Sequence, residues 1–443
     1  MPRQHPSSTA TTYLDQPPSC LQFCPASQNN FVVGTYLLSE TKFTEENGSE
    51  TIQQAKTGSL QLWHLDPETD TLSQKSRHAL NAAVFDLQFH PRHPSILAIA
   101  SSDASVSLFA VSETGFTLLW TKNVHEDPSI PALFLAWLPE NWLDPSSPAA
   151  AKDGFAVTFS DGRTGVFGVD PVDTSANGKV DGDEQVTELG SFEARQPIEI
   201  WFVATASYQS LETLTAKRDS DWMYTPYLFT GNDFGSLHTR RFSDIKKPQA
   251  ETQAGEKVDK DENYDYDAEG TPLPPLLLNA DDKARHHTAG VTSILPLPIP
   301  LSHPVANGEP LLLTGSYDEN LRVYHATRGG DVLAEAGLGG GVWRLKLLNS
   351  TRTESEKSAS EGGEKWTFLV LASCMHGGTR VVLVAIGGEA GAVGIEVLAE
   401  FTEHESMNYA SDVWRPENQA TGELRVVSSS FYDRRVCVWK VRM

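Results

Sequence analysis

Apolar and polar positions alternate along this chain in short bursts, and the bursts come in pairs. An apolar run closes on small residues, an acidic residue follows, and two or three positions later a second apolar run begins. The pattern is plainest in LAIASSDASVSLFAV (97–111), FAVTFSDGRTGVFGV (155–169), YLFTGNDFGSLHTRRF (227–242), LLLTGSYDENLRVYHA (311–326) and RVVSSSFYDRRVCVWKV (425–441). Each pair predicts two antiparallel strands joined by a tight turn. The aspartates at the corners, Asp103, Asp161, Asp233, Asp318 and Asp433, suit such turns because their carboxylates accept nearby backbone N–H groups. Strong helical periodicity is absent.

A further short apolar strand precedes most pairs, as in CLQFCP (20–25), VFDLQFHP (84–91), PALFLAWLP (131–139), IEIWFVA (198–204), GVTSILPLP (290–298) and GVWRLKLL (341–348). MNYASDVWRP (407–416) holds that place in the last copy. Two copies are degenerate: VVGTYLLSE (32–40) resumes after a polar insertion at TGSLQLWHL (57–65), and FLVLASCMHGGTRVVLVA (368–385) carries His376 in place of the aspartate. Seven copies fit the length, so the expected fold is all-β: one seven-bladed WD-type β-propeller over residues 1–443. Pairing the chain start with its end would close the ring and remove exposed sheet edges. The copies lie farther apart than the ~40–45 residues of a standard blade. The excess falls in 41–57, 171–190, 243–283 and 350–364, which are polar or acidic and predict solvated, flexible insertions.

The formal net charge of −23 opposes non-specific nucleic-acid binding and favours cationic partners. No stretch has the ~18 consecutive apolar residues of a membrane span, and MPRQHPSSTATTYLD lacks the apolar core of a signal peptide. Four cysteines, Cys20, Cys24, Cys374 and Cys437, are too few for a disulfide scaffold of this size, and Cys20/Cys24 has no second half of a zinc site. A cytoplasmic protein without metal or cofactor is the simplest expectation, and a closed ring predicts a monomer.

Familiar catalytic signatures are missing: there is no G-x-S-x-G, no H-E-x-x-H and no P-loop. Polar side chains nevertheless recur where blades begin. In a propeller of this type, hairpin turns and blade-to-blade connections open on one face. That face would gather Asp86, Glu199, His287, Arg344, His376 and Asp412, with Trp201, Trp343, Tyr317, Tyr409 and Tyr432 nearby. His287, in HHTAGVTSI, has the position of the histidine that hydrogen-bonds inside WD blades. His376 stands out because it replaces a turn acid beside two glycines, and a neutral imidazole can act as a general base near neutral pH.

LLLTGSYDENLRVY, GGGVWRLKL, LVLASCMHGGTRVV, HESMNYASDVW and SSSFYDRRVCVWKV, with HTAGVTSI and LFTGNDFGSL before them, together resemble the WD-repeat diphthine methyl ester hydrolases of eukaryotes. The resemblance touches every expected blade and skips the acidic insertions. Two features depart from it. The closing aromatic–acid pairs are mostly lost, and Val413 separates Asp412 from Trp414.

The resemblance implies removal of a methyl ester from over-methylated diphthine on a histidine of elongation factor 2. The freed carboxylate can then be amidated to diphthamide. The substrate side chain also carries a trimethylammonium group. Such a site needs an activated water, donors for the oxyanion and aromatic faces for the cation. The candidate assignment makes His376 the base, oriented by Glu199 or Asp318. Arg344, or a backbone N–H of Gly339–Gly341, faces the oxyanion. Trp201, Trp343, Tyr317 and Tyr432 form an aromatic cage, with His287 kept among the residues that would touch substrate. The alternative is a non-catalytic WD adaptor that docks proteins on its rim.

Overall fold

The computed structural model describes residues 2–44, 50–143, 153–170, 182–211, 223–246, 273–353, 364–388, 392–415 and 422–443. They form seven antiparallel sheets of four or five strands each. The innermost strands of blades 1 to 7 are Pro18–Phe23, Val84–Phe89, Ala132–Trp137, Ile200–Gln209, Val291–Pro296, Arg344–Thr353 and Ala410–Trp414. Each packs beside the innermost strand of the next blade, and the last returns to the first, so they ring a central channel. This is the seven-bladed all-β propeller that the repeat predicts.

Burial explains the repeat. The second strands, such as Asn30–Thr35, Ile96–Ser101 and Leu311–Ser316, are buried at every position, because both faces meet neighbouring blades. Outer strands such as Asp331–Gly337 alternate exposed and half-buried residues. Hydrogen bonds fasten turns to strands within blades. In blade 7 Trp439 Nε1 donates to Ser428 Oγ at 3.0 Å, His404 Nε2 lies 2.8 Å from the same oxygen, and Asp433 accepts from Glu405 N. In blade 5 His287 Nε2 meets Thr314 Oγ1 at 2.9 Å, and Asp318 accepts from Thr288 N at 2.9 Å.

The ring closes as expected. Ser8–Tyr13 pairs antiparallel with Arg435–Arg442, so both ends of the chain build blade 7.

A less visible device shapes the channel mouth. Five innermost strands slip register at their second residue: between Pro18 and Cys20, Val84 and Asp86, Ala132 and Phe134, Ile200 and Phe202, and Val291 and Ser293. The skipped residues are Ser19, Phe85, Leu133, Trp201 and Thr292. A bulge re-aims the residue it leaves unpaired, and here Ser19, Phe85 and Trp201 line one cavity.

The edges of the expected insertions need correction. Within 41–57, Leu37–Thr44 pairs with the first half of Glu50–Leu65 in a hairpin, from Leu37↔Thr57 to Thr44↔Glu50. A two-sided polar ribbon lacks the apolar alternation that would reveal it. Within 171–190, Val186–Glu193 starts the outer strand of blade 3, where Val186 and Leu189 supply its buried contacts. Within 243–283, Leu276–Asp281 is the outer strand of blade 4, and within 350–364 the innermost strand of blade 6 runs on to Thr353. Residues 45–49, 171–181, 247–272 and 354–363 of those expected insertions lie outside the described residues.

Candidate functional site

Aromatic side chains crowd the face where hairpin turns and blade connections meet. Their rings follow one another round the mouth. Phe85 and Tyr36 are 5.5 Å apart, Tyr36 and Phe431 6.1 Å, Phe431 and Tyr409 5.4 Å, and Tyr409 and Trp343 5.1 Å. Trp343 then meets Trp201 at 5.6 Å and Tyr317 at 5.9 Å, while Trp201 and Tyr317 stand edge to face at 6.2 Å. These residues wall a cavity of about 570 Å³, with Tyr432, Leu37 and Leu38 on its rim. Tyr317 fits because a glycine flanks it: a Cβ on Gly290 would lie 2.9 Å from the Tyr317 ring.

Next to this mouth, sharing Ser19 and Tyr409 with it, lies a smaller space of about 150 Å³ that Asp86, Arg344, Lys346 and Cys20 help to line together with apolar side chains. The guanidinium of Arg344 lies 4.6 Å from the centre of the Trp343 ring and 4.7 Å from that of Phe134. One of its nitrogens donates to the carbonyls of Trp343 at 2.9 Å and Thr292 at 3.2 Å. Asp86 is 3 % exposed and accepts from Gln88 Nε2 at 3.0 Å. Burial lifts its carboxyl to about 6, against the pull of the Arg344 charge. Burial likewise lowers the proton affinity of Arg344, and Asp86 opposes that shift. Lys346 and Asp412 form a separate pair at 2.5 Å, and Asp412 also accepts from Phe23 N, so this pair braces blades 6, 7 and 1. The Cys20 thiol is pushed far up by burial and by Asp86, which makes it inert as a nucleophile. A buried carboxylate with a near-neutral pKa beside a guanidinium can move a proton and stabilise a developing anion.

The expected site residues fall into two groups. Trp201, Trp343, Tyr317 and Tyr432 come together at the mouth, and Arg344 lies against Trp343. The others do not line that cavity. His287 is 1 % exposed inside blade 5, and burial depresses it to about 3, so it is a neutral strut and cannot touch a substrate. Asp318 is held by Thr288 N, Asn320 N and Arg322, the last at 2.9 Å. Glu199 is half-buried at the rim, and its carbonyl accepts from Asp233 N. His376 is 57 % exposed and meets Glu319 at 3.5 Å, not Glu199 or Asp318. The Gly339–Gly341 run packs against the His376 turn: a Cβ on Gly340 would lie 2.2 Å from the Cys374 carbonyl and one on Gly341 2.7 Å from Met375 Sδ, while Gly339 has a φ of +75°. Asp86 was legible only as one polar residue at the start of a strand; its pKa rests on burial, which depends on blades distant in sequence. Tyr36, Phe85 and Phe431 carried no signal, because nothing local marks an aromatic residue as facing a channel.

Among the described residues, His90, His93 and Asp153 have side-chain atoms close enough to share an ion. Their bonding is that of a closed structural cluster. His90 Nδ1 accepts the N–H groups of Arg92 and His93, which puts its proton on Nε2, and Nε2 meets Asp153 at 2.5 Å. Arg92 also pairs with Asp153, at 2.7 Å. No helix among the described residues is long and apolar enough to cross a membrane.

No protein-family model matches the chain. A stretch of 154 residues, 35% of the chain, is 32% identical to the Schizosaccharomyces pombe protein named diphthine methyltransferase and spans 38% of that relative's length. A Dictyostelium discoideum protein named diphthine methyltransferase homolog is 20% identical and covers 97% of this chain and 98% of its own. These relatives bear out the resemblance read from the sequence. Similar solved structures include Sqt1 from Saccharomyces cerevisiae, with a TM-score of 0.49, 11% identity and coverage of 99% of this chain and 100% of that one. Chaetomium thermophilum Sqt1 bound to the N-terminus of ribosomal protein L10 gives 0.49, 14% identity and coverage of 98% and 100%.

Proposed function

We propose that this propeller, similar along its whole length to a protein named for diphthine, hydrolyses the methyl ester of diphthine methyl ester on a modified histidine of elongation factor 2. The observation that carries the reading is an aromatic-walled cavity that shares Ser19 and Tyr409 with a smaller space lined by buried Asp86 and by Arg344. The aromatic faces suit a trimethylammonium group, which they attract by cation–π interaction. The ester then extends toward the channel.

Asp86, ionised above its pKa of about 6, takes a proton from a water as the water oxygen attacks the ester carbon. The carbonyl oxygen becomes an oxyanion facing Arg344. On collapse the carbon–methoxy bond breaks, and the proton on Asp86 passes to methoxide. The products are methanol and the side-chain carboxylic acid, which releases its remaining proton to solvent to become the carboxylate, and the base is restored. His376 with Glu319 is another acid–base pair on this face and the alternative assignment for the base. Elongation factor 2 as substrate goes with a cytoplasmic protein, and the closed ring with a monomer.

The relatives' name speaks of methyl transfer, which would add a methylene mass to the substrate where ester cleavage removes one, and the fate of oxygen tells which ester bond is cut. In ¹⁸O-labelled water, attack at the carbonyl puts label in the new carboxylate; attack at the methyl carbon puts it in methanol. The expected result is loss of one methylene from the modified peptide of elongation factor 2, with label in the carboxylate. No mass change with folded protein would favour the adaptor reading, for which exposed Leu38, Phe234 and Tyr432 would be docking points.

A further inference from the structure

We propose that Asp233 is a positioning residue that makes the aromatic mouth prefer a quaternary ammonium over a neutral group of the same shape. The inference rests on the reading of the mouth as a trimethylammonium site. It begins with a difference between blades. The turn aspartates of blades 3, 5 and 7 all accept backbone N–H groups: Asp161 from Arg163, Asp318 from Asn320 and Thr288, Asp433 from Glu405. In blade 4 that task moves one residue back. Asn232 accepts the N–H of Ser236 at 2.8 Å. The carboxylate of Asp233 instead takes the indole N–H of Trp201, Nε1 to Oδ1, at 2.6 Å.

Trp201 is the residue that the blade 4 bulge leaves out of register. The bulge aims it at the mouth, and Asp233 fixes its ring rotation. Gly290 holds the other side: a Cβ there would lie 3.0 Å from the Asp233 carbonyl and 2.9 Å from the Tyr317 ring, so the turn and the cage are packed as one unit. A carboxylate bonded to the indole edge also makes the ring face more negative, and its own charge adds attraction for a cation. The same charge reaches Tyr317, whose hydroxyl is held protonated by burial first and then by Asp233.

The test compares choline with 3,3-dimethylbutan-1-ol, its neutral isostere, in titrations of the full chain followed by tryptophan fluorescence. Wild type is expected to favour choline by roughly tenfold. Asp233→Asn keeps an acceptor for the indole and removes the charge, so the preference should fall toward one while alcohol binding stays constant. Asp233→Ala should weaken both ligands. Asp161→Asn, in a turn away from the cage, should change neither. A wild-type preference that survives Asp233→Asn would overturn the proposal, as would a wild type with no preference. Preference for choline without ester turnover would uphold it and overturn the hydrolase reading instead.

Discussion

Asp86 owes its chemistry to position. A carboxyl in water has a pKa near 4; in the space it shares with Arg344 burial lifts it to about 6. If it is the base, kcat/KM should rise with pH through a limb near 6 and level off above. Asp86→Asn should abolish that limb together with most activity. The same shift has a cost in stability. Between about 4 and 6 the folded state holds a proton that the unfolded chain has released, so Asp86 stabilises the fold less as pH rises through that window. Asp86→Asn should therefore flatten that part of the urea-midpoint profile. Arg344→Gln should lower kcat by about 10²–10³ if its guanidinium meets the oxyanion. His376→Ala should leave kcat within a few-fold, since its pair with Glu319 stands outside the cavity.

Among elements, the bulged innermost strands and the blade turns divide the work. The turns and their histidines hold blades together. Ser428→Ala would strip partners from Trp439 Nε1 and His404 Nε2 in a buried site and should cost about 1–3 kcal/mol in denaturant unfolding. His404 adds an acid sensitivity. Burial depresses it to about 4, below the usual value near 6.5, so in between the unfolded chain binds a proton that the folded one does not. Stability from this group is whole above 6.5 and drains away as pH falls toward 4. Three of the bulges, at Ser19, Phe85 and Trp201, instead serve the site. Trp201 reads as one apolar residue of IEIWFVA, and nothing local states that Ile200 and Phe202 keep the ladder while Trp201 leaves it. Strands and turn acids were legible because burial on two faces and tight turns restrict residue types. The cage was legible where position at the blade entries and turns marked Trp201, Trp343, Tyr317 and Tyr432. Tyr36, Phe85 and Phe431 were not, because their meeting depends on ring closure.

At the scale of the molecule, closure makes the site. The ring of Tyr36 in blade 1 meets Phe85 of blade 2 and, across the point where Ser8–Tyr13 pairs with Arg435–Arg442 to close the propeller, Phe431 of blade 7. Deleting residues 1–13 should leave the edge of Arg435–Arg442 open. The expected result is a lower unfolding midpoint and self-association in size-exclusion chromatography. The resemblance to diphthine methyl ester hydrolases followed the blades, since insertions vary without disturbing a ring whose core lies in its inner strands. On this reading the ester is cleaved beside Asp86 and Arg344. The most direct measurement is the rate at which elongation factor 2 carrying the diphthine methyl ester loses its methylene mass, compared between Asp86→Asn and His376→Ala. A fall of at least about 10² is expected for Asp86→Asn, with near wild-type turnover for His376→Ala. Full turnover by Asp86→Asn, with loss in His376→Ala, would rule out Asp86 as the base and move the chemistry to the rim.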